Sequence, residues 1–304
     1  MNLTLSPRIR EAADQGGAVV VVESTLLTHG LSYPKCLELV LDIENEIRKG
    51  GAEPAVAAML DGRIHVGLER EEMERIARDE RRVKLTAADL AVAAVKGRSG
   101  GTTAATTAWI ARKAGFRVAL AGGLGGVHRD VAETWDISGD LTAMGEQPVM
   151  MVCGGIKTFL DIGKSLEALE TLGVPVWAYC SDRFPGYFVR ESAFRAPRIE
   201  SAKQAAAMAA AHWDMGFSTG IVLGVPIPEA AAFGAEEIEG VIGRALEKAK
   251  GQTEGKGVTP LLIREIESYT QGRSAAANRA LILEAARTAA EVAAAFAGVR
   301  RSMA

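Results

Sequence analysis

Two kinds of apolar pattern alternate along the 304-residue chain. "AVVVVE" at 18–23 is an unbroken apolar run, the signature of a strand buried on both faces. "PKCLELVLDIENEIRKGG" at 34–51 repeats its apolar positions every three or four residues. That spacing predicts a helix, with Pro34 in its first turn and glycine past its end. "PAVAAML" and "RIHVG" flank Asp61-Gly62, a two-residue hairpin signal. "EREEMERIARDE" predicts a charged surface helix, "RRVKL" a short strand, and "AADLAVAAVKG" and "TTAATTAWIARKAG" small-residue helices. "FRVALA" (116–121) predicts a further strand, which runs into "GGLGG".

The second half repeats the alternation. Strand "PVMMVC", helix "KTFLDIGKSLEALETLG", strand "VPVWAYC", helix "ESAKQAAAMAAAHWDMG" and strand "TGIVLGV" follow in order. Helix "AEEIEGVIGRALEKAKG" (235–251) and two closing helices complete the chain. This order predicts an α/β fold: a mixed, largely parallel sheet with helices on both faces and a locally antiparallel hairpin. No linker, low-complexity tract or internal repeat interrupts it, so one domain over 1–304 is expected.

Composition narrows the function classes. Apolar residues make up 48 % and charged residues 24 %, the balance of a soluble globular protein. The 35 basic and 38 acidic residues are interspersed, with a net charge of −3, and no basic stripe marks a nucleic-acid surface. Cys36, Cys153 and Cys180 are too few and scattered for a disulfide framework or zinc site. The start "MNLTLSPRIREAADQGG" has no apolar leader core. The alanine-rich end carries Arg279, Glu284, Arg287 and Glu291, which excludes it as a membrane span. A cytoplasmic protein is expected.

Ligands of open α/β sheets gather at the carboxyl ends of strands, and four polar clusters fall there. Glu23 follows four valines, where it either caps the next segment or serves a site. Lys84 sits inside a strand-like run, as a snorkelling or paired lysine or as a ligand for an anion. "GGLGGVHRDVAETWDISGD" joins a glycine turn to His128, Asp136, Ser138 and Asp140. It is no dinucleotide fingerprint, because the third glycine would have to stand where His128 does. Asp136 and Asp140, at i and i+4, suit one helix face and a largely hydrated divalent ion; equally, an Asp or Ser there caps a helix starting near Asp140. Lys157 follows a Cys-Gly-Gly turn at an expected strand-to-helix junction. It is either a solvated surface lysine or an amine made nucleophilic by apolar walls and a neighbouring cation such as Lys84.

Together, "VVESTLLTHGLSYP", "GGLGGVHRDVAETWDISGDL", "MVCGGIKTFLDIG", "GVPVWAY" and "PIPE" resemble the pseudouridine-5′-phosphate glycosidase, or indigoidine synthase A, family, in one register over nearly the whole chain. The resemblance implies a three-layer α/β/α fold, a homotrimer and one largely water-coordinated Mn2+ per subunit. It implies reversible cleavage of the C–C glycosidic bond of pseudouridine 5′-phosphate to uracil and ribose 5-phosphate. By position it makes Lys157 the nucleophile, Glu23 the proton donor and Asp136 the metal ligand. Lys84, Ala104, Ser138, Gly139 and Asp140 correspond to substrate contacts, that of Ala104 through backbone, and His128 and Asn278 to pocket-lining residues. A C–C glycoside has no heteroatom leaving group for a two-carboxylate mechanism to protonate. An amine attacking C1′ while an acid protonates the ring oxygen avoids that obstacle.

One position departs from the family pattern. Val225 stands where N-P-I-P-E would have asparagine, removing an amide that could reach substrate or metal-bound water. The tract "RFPGYFVRESAFRAP" is expected on the pocket rim. Three alternatives stand beside this reading. A same-family enzyme could act on another C-ribosyl phosphate or run in the synthetic direction. A sugar or nucleoside kinase would need a G-A-G-D-type anion hole, and none is found. A non-enzymatic phosphate-ligand binder would make Glu23 and Lys157 dispensable.

Overall fold

The computed structural model describes residues 3–249 and 258–303; the last two positions of the helix expected to end at 251 lie outside them. The chain begins β1 (Leu3–Leu5), α1 (Pro7–Asp14), β2 (Val19–Glu23), α2 (Lys35–Lys49), β3 (Glu53–Leu60), β4 (Arg63–Val66), α3 (Arg70–Arg78) and β5 (Val83–Leu85). Next come α4 (Leu90–Val95), β6 (Gly100–Thr102), α5 (Ala104–Lys113), β7 (Val118–Leu120), β8 (Val127–His128), α6 (Val131–Thr134) and α7 (Gly139–Glu146). Then follow β9 (Met150–Cys153), β10 (Leu160–Asp161), α8 (Ile162–Thr171), β11 (Val176–Tyr179), β12 (Arg198–Ile199) and α9 (Ala202–Asp214). The last elements are β13 (Ile221–Gly224), α10 (Ala235–Ala249), α11 (Val258–Tyr269) and α12 (Arg273–Met303).

The main sheet has the order β1-β4-β3-β2-β7-β9-β13-β11-β12, with β6 pairing β3 and β5. The pairs β3/β4 and β3/β6 are antiparallel, and the others in this sheet are parallel. The expected mixed, largely parallel sheet is therefore present, and the Asp61-Gly62 hairpin joins β3 to β4. β8 and β10 form a separate antiparallel pair.

Side-chain alternation explains why the central strands read as unbroken apolar runs. In β2, Val19 and Val21 enter one core while Val20 and Val22 enter another. In β9, Met151 and Cys153 share the first core, and Met150 and Val152 the second. With both faces covered, no position along these strands favours a polar residue. Ala108 of α5, Ile242 of α10 and Leu262 of α11 pack in the first core. Ile43 of α2, Ala205 of α9 and Ala286 of α12 pack in the second. The alanine-rich face of α12 permits close packing: a Cβ on Gly50, at the end of α2, would stand 2.5 Å from the Ala290 Cβ.

Two local expectations are corrected. The helix expected from Lys157 starts at Ile162, where the Asp161 side chain caps it by accepting from Lys164 N at 2.9 Å. Residues 154–159 bridge to other loops instead, and Gly155 (φ +95°) has a backbone conformation that L side chains rarely adopt. β6 was missing from the sequence reading because "GGT" lacks the β-branched and aromatic residues that mark strands. It pairs because only glycine fits. A Cβ on Gly101 would lie 2.0 Å from Thr28 Oγ1 and 2.9 Å from the Ser24 carbonyl oxygen. Gly101→Ala is therefore expected to cost about 1–3 kcal/mol through overpacking, seen as a lowered Tm in thermal unfolding. An unchanged Tm would show that β6 and the turn after β2 separate without cost.

Candidate active site

The three neighbouring strands β2, β7 and β9 end beneath a cavity of about 650 Å³. Glu23 closes β2, Gly122 and Gly123 follow β7, and Lys157 follows β9; all four line the cavity. So do Lys84, His128, Asp136, Ser138, Gly139, Asp140 and Asn278. Ala104, the first residue of α5, is buried and lies outside the lining, although its neighbours Thr103 and Ala105 belong to it.

Glu23 is 5 % exposed. The residue after it anchors the strand end. Ser24 Oγ donates to the Ala57 carbonyl at 2.5 Å, and Thr102 N donates to Ser24 Oγ at 2.9 Å. Thr25 Oγ1 donates to Glu23 Oε1. Burial raises the Glu23 pKa above the ordinary glutamate value; the Lys157 charge, the Thr25 hydrogen bond and the Lys84 charge oppose this without reversing it. The carboxyl therefore retains its proton where an exposed glutamate loses it.

Lys157 is half-buried and held through its backbone. Its N–H donates to the Leu124 carbonyl at 3.1 Å, and its own carbonyl accepts from Leu160 N at 2.9 Å. Thr158 Oγ1 donates to the Gly186 carbonyl at 3.2 Å, tying the segment to the turn 186–189. Cys153 lies buried at the end of β9, and burial pushes its thiol up to about 11, so it remains an unreactive thiol. Lys84, on β5, is half-buried opposite Gly101 of β6, and its charge reaches Glu23.

Asp136 and Asp140 do not share a helix face. Asp136 lies before α7, its Oδ2 at 3.5 Å from His128 Nε2, and it is partly exposed. Asp140 is buried, its two oxygens accepting from Ala105 N and Gly125 N, each at 2.9 Å. It therefore ties the start of α5 to the glycine turn. Two N–H groups of that turn, Gly125 to Asp140 and Leu124 to the Gly155 carbonyl, are already engaged within the protein. Ser138 caps α7 by accepting from Asp140 N at 3.2 Å. A Cβ on Gly125 would collide with Ser138 Oγ at 2.2 Å. Among the described residues, no group of three His, Cys, Asp or Glu side chains is placed to hold a metal. One partly exposed carboxylate, Asp136, fits a hard cation only if water supplies most of its ligands.

Two of the lining residues that the sequence reading did not single out bear on the site. Tyr187, at the tip of the turn 186–189 with φ +63°, donates from its hydroxyl to Asn278 Oδ1 at 2.6 Å. Burial, with the nearby Glu23 and Cys153, pushes its phenol up, so it stays a donor. Asn278 is then left with its amide N–H groups to offer the cavity. The Tyr187 ring also accounts for Gly123, where a Cβ would stand 2.5 Å from Tyr187 Cε2. The second is His29, in the turn after β2. The expected rim tract "RFPGYFVRESAFRAP" thus reaches the cavity through Tyr187 and Phe188. Val225 is buried outside the lining, its N–H donating to the Cys153 carbonyl at 2.8 Å, so its side chain changes no cavity wall.

The raised Glu23 pKa has a measurable consequence. Between the ordinary glutamate pKa and the folded one, the folded chain binds a proton that the unfolded chain releases, so rising pH destabilises it. Glu23→Gln removes that dependence. The variant is expected to unfold like the parent near about pH 4 and to gain about 2 °C or more in Tm over it by about pH 8. A constant Tm difference across that range would remove the buried acid from the account.

Comparison with known proteins places the chain in a family. The family description "Indigoidine synthase A like protein" matches residues 8–295. A pseudouridine-5′-phosphate glycosidase of a Nocardioides species is 43 % identical over 300 residues, covering 98 % of each chain. Pseudouridine-5′-phosphate glycosidase 2 of Rhizobium johnstonii is 42 % identical over 304 residues, covering 99 % of this chain and 98 % of the relative. The crystal structure of the prealnumycin C-glycosynthase AlnA in complex with ribulose 5-phosphate superimposes with a TM-score of 0.92 at 34 % identity, covering 99 % of this chain and 98 % of that one. An indigoidine synthase A-like protein of Thermotoga maritima superimposes with a TM-score of 0.88 at 32 % identity, covering 96 % and 95 %. With the match running almost end to end, the chain belongs to the indigoidine synthase A-like family of enzymes.

Proposed function

We propose that the chain cleaves the C–C glycosidic bond of pseudouridine 5′-phosphate, consuming one water and releasing uracil and ribose 5-phosphate. The observation that carries this reading is a buried, proton-retaining glutamate and a half-buried lysine in one cavity, at the ends of strands separated only by β7. The names of the relatives described above point to the same substrate.

The two residues divide the chemistry. The Lys157 amine, in its unprotonated form, attacks C1′ as Glu23 gives its proton to the ring oxygen, breaking the C1′–O bond and opening the sugar. The Glu23 carboxylate then takes a proton from the new C1′–nitrogen adduct. The nitrogen lone pair expels uracil, whose carbon takes that proton back from Glu23, leaving an iminium on Lys157. Water hydrolyses the iminium to ribose 5-phosphate, and Glu23 recovers its proton from the released amine. No electron acceptor is needed, and every step has a reverse. Lys84 faces the substrate's anionic phosphate, while Ser138, Gly139, His128 and Asn278 contact its polar groups. Asp140 acts mainly by shaping the wall, since both its oxygens already accept backbone N–H groups.

Asp136 would hold a hydrated Mn2+, which supplies a positive charge and ordered water beside the substrate. The assembly proposed is a cytoplasmic homotrimer; among the described residues no helix is long and apolar enough to cross a membrane. A second reading, C-ribosylation of a larger aromatic acceptor, is favoured by one observation: Trp109, Phe159, Ile263 and Ile266 form an apolar wall in the same cavity.

Borohydride reduction during turnover of pseudouridine 5′-phosphate is expected to leave a ribosyl phosphate adduct on Lys157, found by peptide mapping. Lys157→Ala should lose both adduct and turnover; activity retained by that variant would end the mechanism. Asp136→Asn should weaken Mn2+ binding, read by electron paramagnetic resonance of the free ion, at unchanged Tm. Undiminished binding would place the metal elsewhere.

A further inference from the structure

The reaction above leaves one cavity imidazole without a task. Residues Leu26–Gly30 form a single π-helical turn, a geometry frequent at functional sites. His29 in this turn is half-buried and lines the cavity. The turn is pinned by Arg82, whose Nε donates to the Thr28 carbonyl at 2.6 Å.

The contacts around Thr28 favour one state of this ring. His29 Nδ1 lies 2.8 Å from Thr28 Oγ1, and the same Oγ1 lies 3.0 Å from the Ser24 carbonyl oxygen. A hydroxyl has one proton, and a carbonyl can only accept. If Thr28 gave its proton to the imidazole, two oxygens would face each other at 3.0 Å with no proton between them. The Ser24 carbonyl also accepts from Leu27 N at 3.0 Å and Thr28 N at 3.1 Å, and the arrangement that places a proton in both Oγ1 contacts is a relay, with Nδ1–H donating to Oγ1 and Oγ1–H donating to the Ser24 carbonyl. The ring proton then sits on Nδ1, and Nε2 carries a lone pair. Burial and the nearby Arg82 and Lys84 charges lower the ring's pKa to about 4, so it stays neutral in the physiological range.

We propose that His29 is a specificity determinant of this cavity, offering Nε2 as a hydrogen-bond acceptor for an N–H or O–H of the substrate. An acceptor nitrogen repels a phosphate dianion, which has only acceptors. The phosphate is thereby assigned away from His29, and a base N–H or a ribose hydroxyl is placed against it. The identity of that donor rests on the proposed substrate, whereas the state of the ring does not.

Nitrogen-15 NMR of the full chain labelled at its four histidines tests the ring directly. The His29 signals are assigned by their loss in His29→Gln. The expected spectrum has a bare Nε2 and a protonated Nδ1, unchanged from about pH 5.5 to about pH 8. Pseudouridine 5′-phosphate should shift Nε2, and inorganic phosphate should not. In kinetics, His29→Ala should raise KM about 10-fold with kcat nearly unchanged, the loss of one hydrogen bond. His29→Gln, whose carbonyl can replace the acceptor, should recover most of it. With substrates methylated on a base nitrogen or lacking one ribose hydroxyl, the penalty should vanish for the analogue that lacks the donor. A proton on Nε2, a shift caused by inorganic phosphate, or a penalty that persists with every analogue would overturn the proposal. Absence of any turnover of pseudouridine 5′-phosphate by the parent, with Nε2 bare, would count against the proposed reaction and not against the ring assignment.

Discussion

Desolvation of a carboxyl group beside an amine is the constraint around which this site is organised. Glu23 sits where β2, buried on both faces, runs out, so its carboxyl leaves water without leaving the cavity. Burying an isolated carboxylate is costly, and the cheaper response is to keep the proton. The opposing influence of Lys157 and Lys84 prevents that response from becoming permanent. A carboxyl poised in this way can give up a proton and take it back, which a solvated or fully isolated one does less well.

That arrangement demands rigidity from segments with little secondary structure of their own. The Lys157 loop is held by bonds to Leu124, Leu160 and Gly186. The glycine turn after β7 is held by Asp140 and by contact with Ser138 and Tyr187. Glycines at 101, 123, 125 and 155 let these backbones approach more closely than any Cβ permits. The same cavity in a chain with side chains at those positions would have to be wider. Its acid would then be better hydrated, with a less perturbed proton affinity. Close packing and chemistry are thus one problem here.

The sequence made the buried strands, the hairpin and most helices legible, because their patterns reflect local burial. It also made Glu23, Lys84, Asp136 and Lys157 visible, since each interrupts an apolar run or follows a glycine turn. It did not reveal what depends on partners distant along the chain. The helix after β9 starts late because loop-to-loop bonds outcompete local helical propensity. Asp136 and Asp140 separate because one is captured by backbone N–H groups from α5 and the glycine turn. Tyr187 meets Asn278 across 91 positions, and no periodicity encodes such a pairing. His29 lay inside a motif already noticed, yet its protonation could be read only from the distances around Thr28.

The electrostatics of the cavity also limit how its ligands lie. Lysines 84 and 157 supply positive charge, while Glu23 is held toward neutrality and Asp140 is engaged by backbone donors. Asp136, partly exposed at the wall, has its carboxylate 3.5 Å from His128 Nε2. A phosphorylated ligand therefore meets attraction at the lysines and repulsion at Asp136, unless a cation intervenes there. A positive ion at that aspartate would relieve this repulsion and help seat the anion. The proposed metal would thereby orient substrate without a bond-breaking role.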